Sequence, residues 1–194
     1  MSEHGLLRPS EWPGWSICPG RPYLEDLPAK GAVTLSQTWR EEFQARVESH
    51  KEAGGQCQVV VDARLDLSIL TGERHANATA DRLLIAQYAD HSILEVWHAD
   101  APEHVLMFLG FAAFLQHTLL HDFTAIVLHG SREVSKTQDE LYVFGQAVTE
   151  AAHLALSVDG EPTLSQLVVS DACESCLGSK RCPAYCRHQA MALV

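Results

Sequence analysis

Six cysteines are the first chemistry this chain offers. Four lie within 14 residues near the C-terminus, in Cys173-Glu-Ser-Cys176-Leu-Gly-Ser-Lys-Arg-Cys182-Pro-Ala-Tyr-Cys186. Thiolates that close repel one another unless a metal or cluster takes up their charge, so the grouping points to a soft-metal site. The spacing C-x2-C-x5-C is not the paired C-x2-C…C-x2-C of a zinc ribbon. A fifth cysteine stands far off in sequence, in Trp15-Ser-Ile-Cys18-Pro19, and Cys57 sits beside an apolar run as a small core residue would. Free buried thiols are the alternative to a metal site. Disulfides do not suit the expected compartment. Met1 to Trp12 lacks the basic start and apolar stretch of a signal peptide, which leads to the expectation of a reducing cytoplasm.

Weaker constellations read more simply. His117 and His121 are expected on one helical face at a spacing zinc enzymes use, but no Glu follows the first, so ordinary helix histidines are the expectation. Trp12, Trp15 and Trp39 suit core and arm packing; the rival reading is an aromatic platform for single-stranded DNA. Fourteen Lys and Arg against 25 Asp and Glu give a net charge of −11. DNA binders usually carry a basic excess, because neutralised phosphates release counterions. Tight non-specific DNA binding is therefore not favoured, and the clearest basic patch is Lys180-Arg181 with Arg187.

These residues need elements to position them. At 194 residues and 46% hydrophobic, the chain suffices for one ordinary domain, and it has no apolar run long enough to span a membrane. Residues 1–30 are rich in Pro and Trp and read as an irregular arm. The pattern predicts a helix over Val33–Glu52, with Trp39, Phe43 and Val47 at four-residue spacing, stopped by Gly54-Gly55. Strands are predicted over Gln58–Leu70, Ala80–Gln87 and Ile93–His98, with a loop at Thr71–Ala78 and a turn at Tyr88–Ser92. An apolar helix over Glu103–Leu120, a strand over Phe123–His129 and a helix over Asp139–Ser157 follow. That order implies an α/β sandwich on a mixed sheet. The expected organisation is the arm (1–30), an α/β core (31–165) and a cysteine-rich segment (166–194).

Here a resemblance becomes specific. One N-terminal Cys before Pro, plus a C-terminal C-x2-C-x5-C, is similar to the ligand set of the iron–sulfur RecB-like nucleases, which include the AddAB-type helicase–nucleases and the CRISPR-adaptation nucleases. Leu7-Arg8-Pro9-Ser10 followed by Trp15-Ser-Ile-Cys18-Pro19-Gly20 resembles the opening of a phage and prophage family of such proteins. The resemblance continues through Val61-Asp62-Ala-Arg64-Leu65-Asp66-Leu67 and Ala78-Thr79-Ala80-Asp81. It implies a restriction-endonuclease-like, PD-(D/E)XK fold: a mixed sheet flanked by helices. It also implies that Cys18, Cys173, Cys176 and Cys182 bind one [4Fe–4S] cluster joining the terminal segments, with zinc as the alternative.

Nucleases of this fold hold Mg2+ or Mn2+ on carboxylates, with a lysine beside the reacting phosphate. Carried over, Asp81 and Glu95 are the remnant metal ligands, on two strands of one hairpin where both could face one ion; solvent-facing strand residues are the alternative. The family's Asp/Glu-x-Lys is Glu95-Val96-Trp97 here, its helix-one His falls at Leu35, and its Gln and Tyr fall near His104 and Phe108. Lys51 and Lys136 are candidates for a displaced lysine, and His98 and His104 for neighbours of the old metal site. The expectation is a catalytically degenerate protein acting in DNA recombination, replication or host takeover by binding a DNA-processing protein, in the cytoplasm of a host cell. The rivals are an active Mg2+/Mn2+-dependent DNA exonuclease and a zinc-stabilised acidic protein-binding module.

Overall fold

The computed structural model describes Cys18 and residues 35–71, 77–157, 164, 167–170, 173–174, 176, 180 and 182–192. The expectations for Trp12, Trp15, Arg181, the loop at 72–76 and the helix start at Val33 lie outside these residues. Ser36 caps helix α1 (Gln37–Glu52) by accepting the Trp39 N–H. The helix stops where expected: Gly54 takes a left-handed φ of 85°, and the Gly54 and Gly55 N–H groups close back onto Lys51 and His50.

Strand β1 (Gln56–Asp66) then pairs antiparallel with β2 (Asn77–Gln87), which pairs antiparallel with β3 (Ser92–Trp97). The first predicted strand runs too far. Asp66 Oδ1 accepts the Ser68 N–H, and a single helical turn, α2 (Ser68–Thr71), follows and puts Leu67 and Leu70 into the core. Apolar alternation there was the three-residue repeat of a helical turn.

Helix α3 (Glu103–His117) crosses over to β4 (Phe123–His129), parallel to β3, and a short β5 (Glu133–Lys136) adds an antiparallel edge. The sheet is a five-stranded mixed one in sequence order. Helix α4 (Gln138–Leu156) opens with a capping box between Thr137 and Glu140, and α5 (Pro183–Ala192) follows Cys182. Every side chain of α3 from Val105 to Phe114 is buried, because α3 lies between the sheet and α4. It ends three residues earlier than expected. Leu119 and Leu120 are exposed, and His121 lies beyond the helix, so the His117–His121 pair is not a helical face.

Two apolar clusters hold the layers together. The larger joins α3 and α4 to Leu83, Ile85, Leu94, Val96, Ile126 and Leu128 on one sheet face. The smaller joins Phe43 and Val47 of α1 to Leu84 and Trp97 on the other, with Trp39 and Cys57 packed against it. No helix among the described residues is long and apolar enough to cross a membrane.

Candidate functional site

Alternation along β3 sends Leu94 and Val96 into the larger cluster and Glu95 and Trp97 toward α1. Glu95 is not a solvent-facing strand residue: it is 0% exposed. The reason is the helix laid over it. Arg46 and His50, four apart on α1, both point down at the carboxylate. Glu95 Oε1 accepts Arg46 Nε–H at 2.7 Å and His50 Nε2–H at 2.8 Å. Oε2 accepts Trp97 Nε1–H and His129 Nε2–H, each at 3.1 Å.

Each neighbour is held in turn. The His50 tautomer that donates to Glu95 leaves Nδ1 to accept the Tyr88 hydroxyl at 2.6 Å. Burial, with Cys57 and Glu95 nearby, pushes the Tyr88 hydroxyl above its ordinary pKa, which keeps it a donor. The His129 ring stacks on Trp97 at 3.7 Å, and its Nδ1 lies 3.5 Å from Glu133. Burial alone would raise the Glu95 pKa; hydrogen bonds from His129, His50 and Arg46 outweigh it and hold the carboxyl at about 2.

Above this network a cleft of about 580 Å³ opens between α1 and the β4–β5 hairpin, with Trp97 and His129 as its floor. Trp39, Glu42 and Arg46 line the helix side; Arg132 and Glu133 line the hairpin side. Gly130 turns the hairpin so tightly over the preceding loop that a Cβ would strike the Ala101 carbonyl oxygen.

Asp81 has different surroundings. A left-handed Asp62 (φ 49°) on β1 shifts which residues face the core: Val60 faces it before the shift, Ala63 and Leu65 after. The partner strand shifts too, with Ala80 and Leu83 both in the larger cluster, and Asp81 sits at that step. Its Oδ2 accepts the Ala99 N–H at 2.7 Å and stands 3.3 Å from His98 Nδ1. Among the described residues Asp81 and Glu95 share no hydrogen-bond or ion-pair partner. The register pairs Leu84 with Glu95 and Arg82 with Trp97, so the residue meeting Asp81 across the hairpin is His98.

The displaced-lysine candidates lie elsewhere: Lys51 pairs with Glu48, and Lys136 with Glu103. Leu35 precedes α1 altogether, and the histidine that this helix does present to the sheet is His50. His98 is a neighbour of Asp81.

Of the C-terminal cysteines Cys182 is buried, Cys173 and Cys176 are half-buried and Cys186 is exposed; Cys18, in the N-terminal segment, is half-buried, and none of these is in a disulfide. Cys173 Sγ accepts the Ser170 N–H at 3.4 Å. Among the described residues no group of three or more His, Cys, Asp or Glu is arranged to hold a metal ion. The chain matches no protein-family model, no curated protein and no solved structure.

Proposed function

We propose that this chain is a RecB-like, PD-(D/E)XK-type nuclease-fold protein that no longer cuts DNA and works by engaging a DNA-processing protein in recombination, replication or host takeover. The observation that carries the non-catalytic reading is the saturated Glu95 carboxylate. A hard divalent ion needs free carboxylate oxygens. Both oxygens of Glu95 already accept two hydrogen bonds, and the group is sealed from solvent.

The element order supports the fold: the two carboxylates lie on adjacent strands after a first helix, and a second helix follows. Counting two residues on from Glu95 gives Trp97, and two on from His98 gives Asp100. Neither offers a positive charge to a scissile phosphate, and removing one such preorganised group typically costs about 100- to 1000-fold in rate. The net charge of −11 favours a protein partner over DNA.

Cys18, Cys173, Cys176 and Cys182 fit a [4Fe–4S] cluster by donor chemistry: four soft thiols outside any disulfide, one buried and three half-buried. When bound, the cluster would supply a cross-link between the chain's two ends.

One preparation tests both halves. Protein purified without oxygen should hold about four irons per chain and leave linear single- and double-stranded DNA intact in Mn2+. Mn2+-dependent degradation that disappears in Asp81→Ala would replace this reading with the active exonuclease. Colourless protein with one zinc per chain would replace the cluster with a zinc-stabilised binding module.

A further inference from the structure

The network under α1 runs one residue further than Glu95 requires. The carboxylate already has four donors, and Tyr88 is not one of them. Tyr88 instead donates its hydroxyl to His50 Nδ1 at 2.6 Å, while His50 Nε2–H donates to Glu95 Oε1 at 2.8 Å. A phenol, an imidazole and a buried carboxylate therefore stand in one hydrogen-bonded line. Among the described residues Tyr88 is the one tyrosine with an imidazole at its hydroxyl. Tyr142, by contrast, meets the rings of Phe111 and Phe114 edge-on.

The phenol is also held still. Tyr88 is half-buried just after β2, at the turn into β3, and its N–H is bonded to the His91 carbonyl. The His91 ring stacks on it at 4.6 Å and 12°. Gly55 approaches so closely that a Cβ there would lie 3.1 Å from Cε1 and Cζ of the ring. Clamped in this way, the ring keeps its oxygen at a fixed distance from a proton acceptor. A phenol needs such an acceptor in order to lose an electron. Oxidation turns the hydroxyl into a strong acid, so the electron leaves readily only where a base is waiting for the proton. His50 Nδ1 is that base, and Glu95 at Nε2 stabilises the imidazolium that forms.

We infer that Tyr88 is a redox-active tyrosine, a reversible one-electron donor to an outer-sphere oxidant such as an oxidised metal complex. In this step Tyr88 gives one electron to the oxidant and its hydroxyl proton to His50 Nδ1. The products are a neutral tyrosyl radical, a His50 imidazolium and the oxidant reduced by one electron. A returning electron reverses the transfer. Because burial holds the Tyr88 hydroxyl above its ordinary pKa, the group starts as a phenol and the proton must leave with the electron. The inference does not depend on the partner-binding reading.

The test uses the full-length protein and photogenerated ruthenium(III) tris-bipyridine as the oxidant, with the radical read by freeze-quench electron paramagnetic resonance. A tyrosyl signal should form in the parent and in Tyr142→Phe, and be lost in Tyr88→Phe. His50→Gln keeps an acceptor at the hydroxyl but no base. It should slow radical formation about 100-fold, the low end of what a positioned base contributes. The parent in heavy water checks the same step without a substitution: radical formation should slow there, because the proton moves with the electron. The assignment is overturned if no tyrosyl signal forms or if Tyr88→Phe keeps it. It is equally overturned if the radical forms as fast in heavy water, or in folded His50→Gln, as in the parent in ordinary water.

Discussion

Glu95 and Asp81 sit on neighbouring strands of one hairpin, yet their surroundings have little in common. Glu95 is fully buried and takes four donors from α1, β3 and β4. Asp81 is half-buried and takes one backbone N–H, with one histidine beside it. Solvation explains the difference. A carboxylate withdrawn from water must replace its whole hydration shell with protein donors, whereas one near the surface keeps water for the remainder. The consequence is a division of labour. Glu95 fastens a helix to the sheet, and Asp81 shapes the loop that leaves β3.

The sharpest way to break this comparison is to remove Glu95. Glu95→Ala would leave the Arg46 guanidinium, two imidazoles and an indole N–H facing a void. Breaking a buried charge network from one side typically costs about 3–5 kcal/mol, a large part of the roughly 5–15 kcal/mol that holds a domain folded. Urea unfolding should show a loss of that size. A loss below about 1 kcal/mol, the range of a surface ion pair, would mean that α1 is held by Phe43, Val47 and Trp97 alone.

Acid should undo the same network without a mutation. The folded Glu95 carboxyl titrates at about 2, below its ordinary value of 4.5. A depressed folded pKa gives stability that is present above the unfolded value and is lost as pH falls through the folded one. At about 1.4 kcal/mol per unit, this amounts to roughly 3 kcal/mol, lost between about pH 4.5 and 2. Urea midpoints measured across that window should converge for the parent and Glu95→Gln, because only the parent has this proton to gain. Parallel curves would show that the histidines do not hold the carboxylate ionised.

Much of this architecture was legible in the sequence, but the partners of Glu95 were not. Trp39, Phe43 and Val47 at four-residue spacing gave α1, and they are the residues that meet the sheet. The apolar run Phe123–His129 was read as a strand with the bounds that the structure shows. Strand β5 escaped because Glu-Val-Ser-Lys is short, polar and on an edge, where burial imposes no pattern. Arg46, His50 and His129 escaped for a different reason. They lie 49, 45 and 34 residues from Glu95, and nothing local links them. A signal did exist: Glu95 is the one charge in Ile-Leu-Glu-Val-Trp, a run apolar enough to be buried on both faces. A buried carboxylate requires donors, and Arg46 and His50 flank the apolar stripe of the first helix. The step at Asp62 had no such signal, so which way Asp81 faced could not be read from alternation.

The smallest effect belongs to Asp81, and it sharpens the comparison from the other side. Asp81→Ala removes the acceptor of the Ala99 N–H and the carboxylate beside His98. Water can reach a half-buried site and replace part of what is lost, so the cost should be about 1 kcal/mol, as for an ordinary hydrogen bond. The damage should also be local. Ala99 opens a loop tied down by other bonds: His98 N–H to the His129 carbonyl, Ala101 N–H to the His98 carbonyl, and Ser131 N–H to the Ala101 carbonyl. Those bonds hold the chain's course while the Ala99 amide alone loses its partner. Hydrogen exchange should therefore quicken at Ala99 and stay unchanged at His50 and along α1. In Glu95→Ala the reverse is expected, with α1 exchanging faster and Ala99 little altered. If Asp81→Ala instead loosens α1, the two carboxylates belong to one coupled site, and the division drawn between them fails.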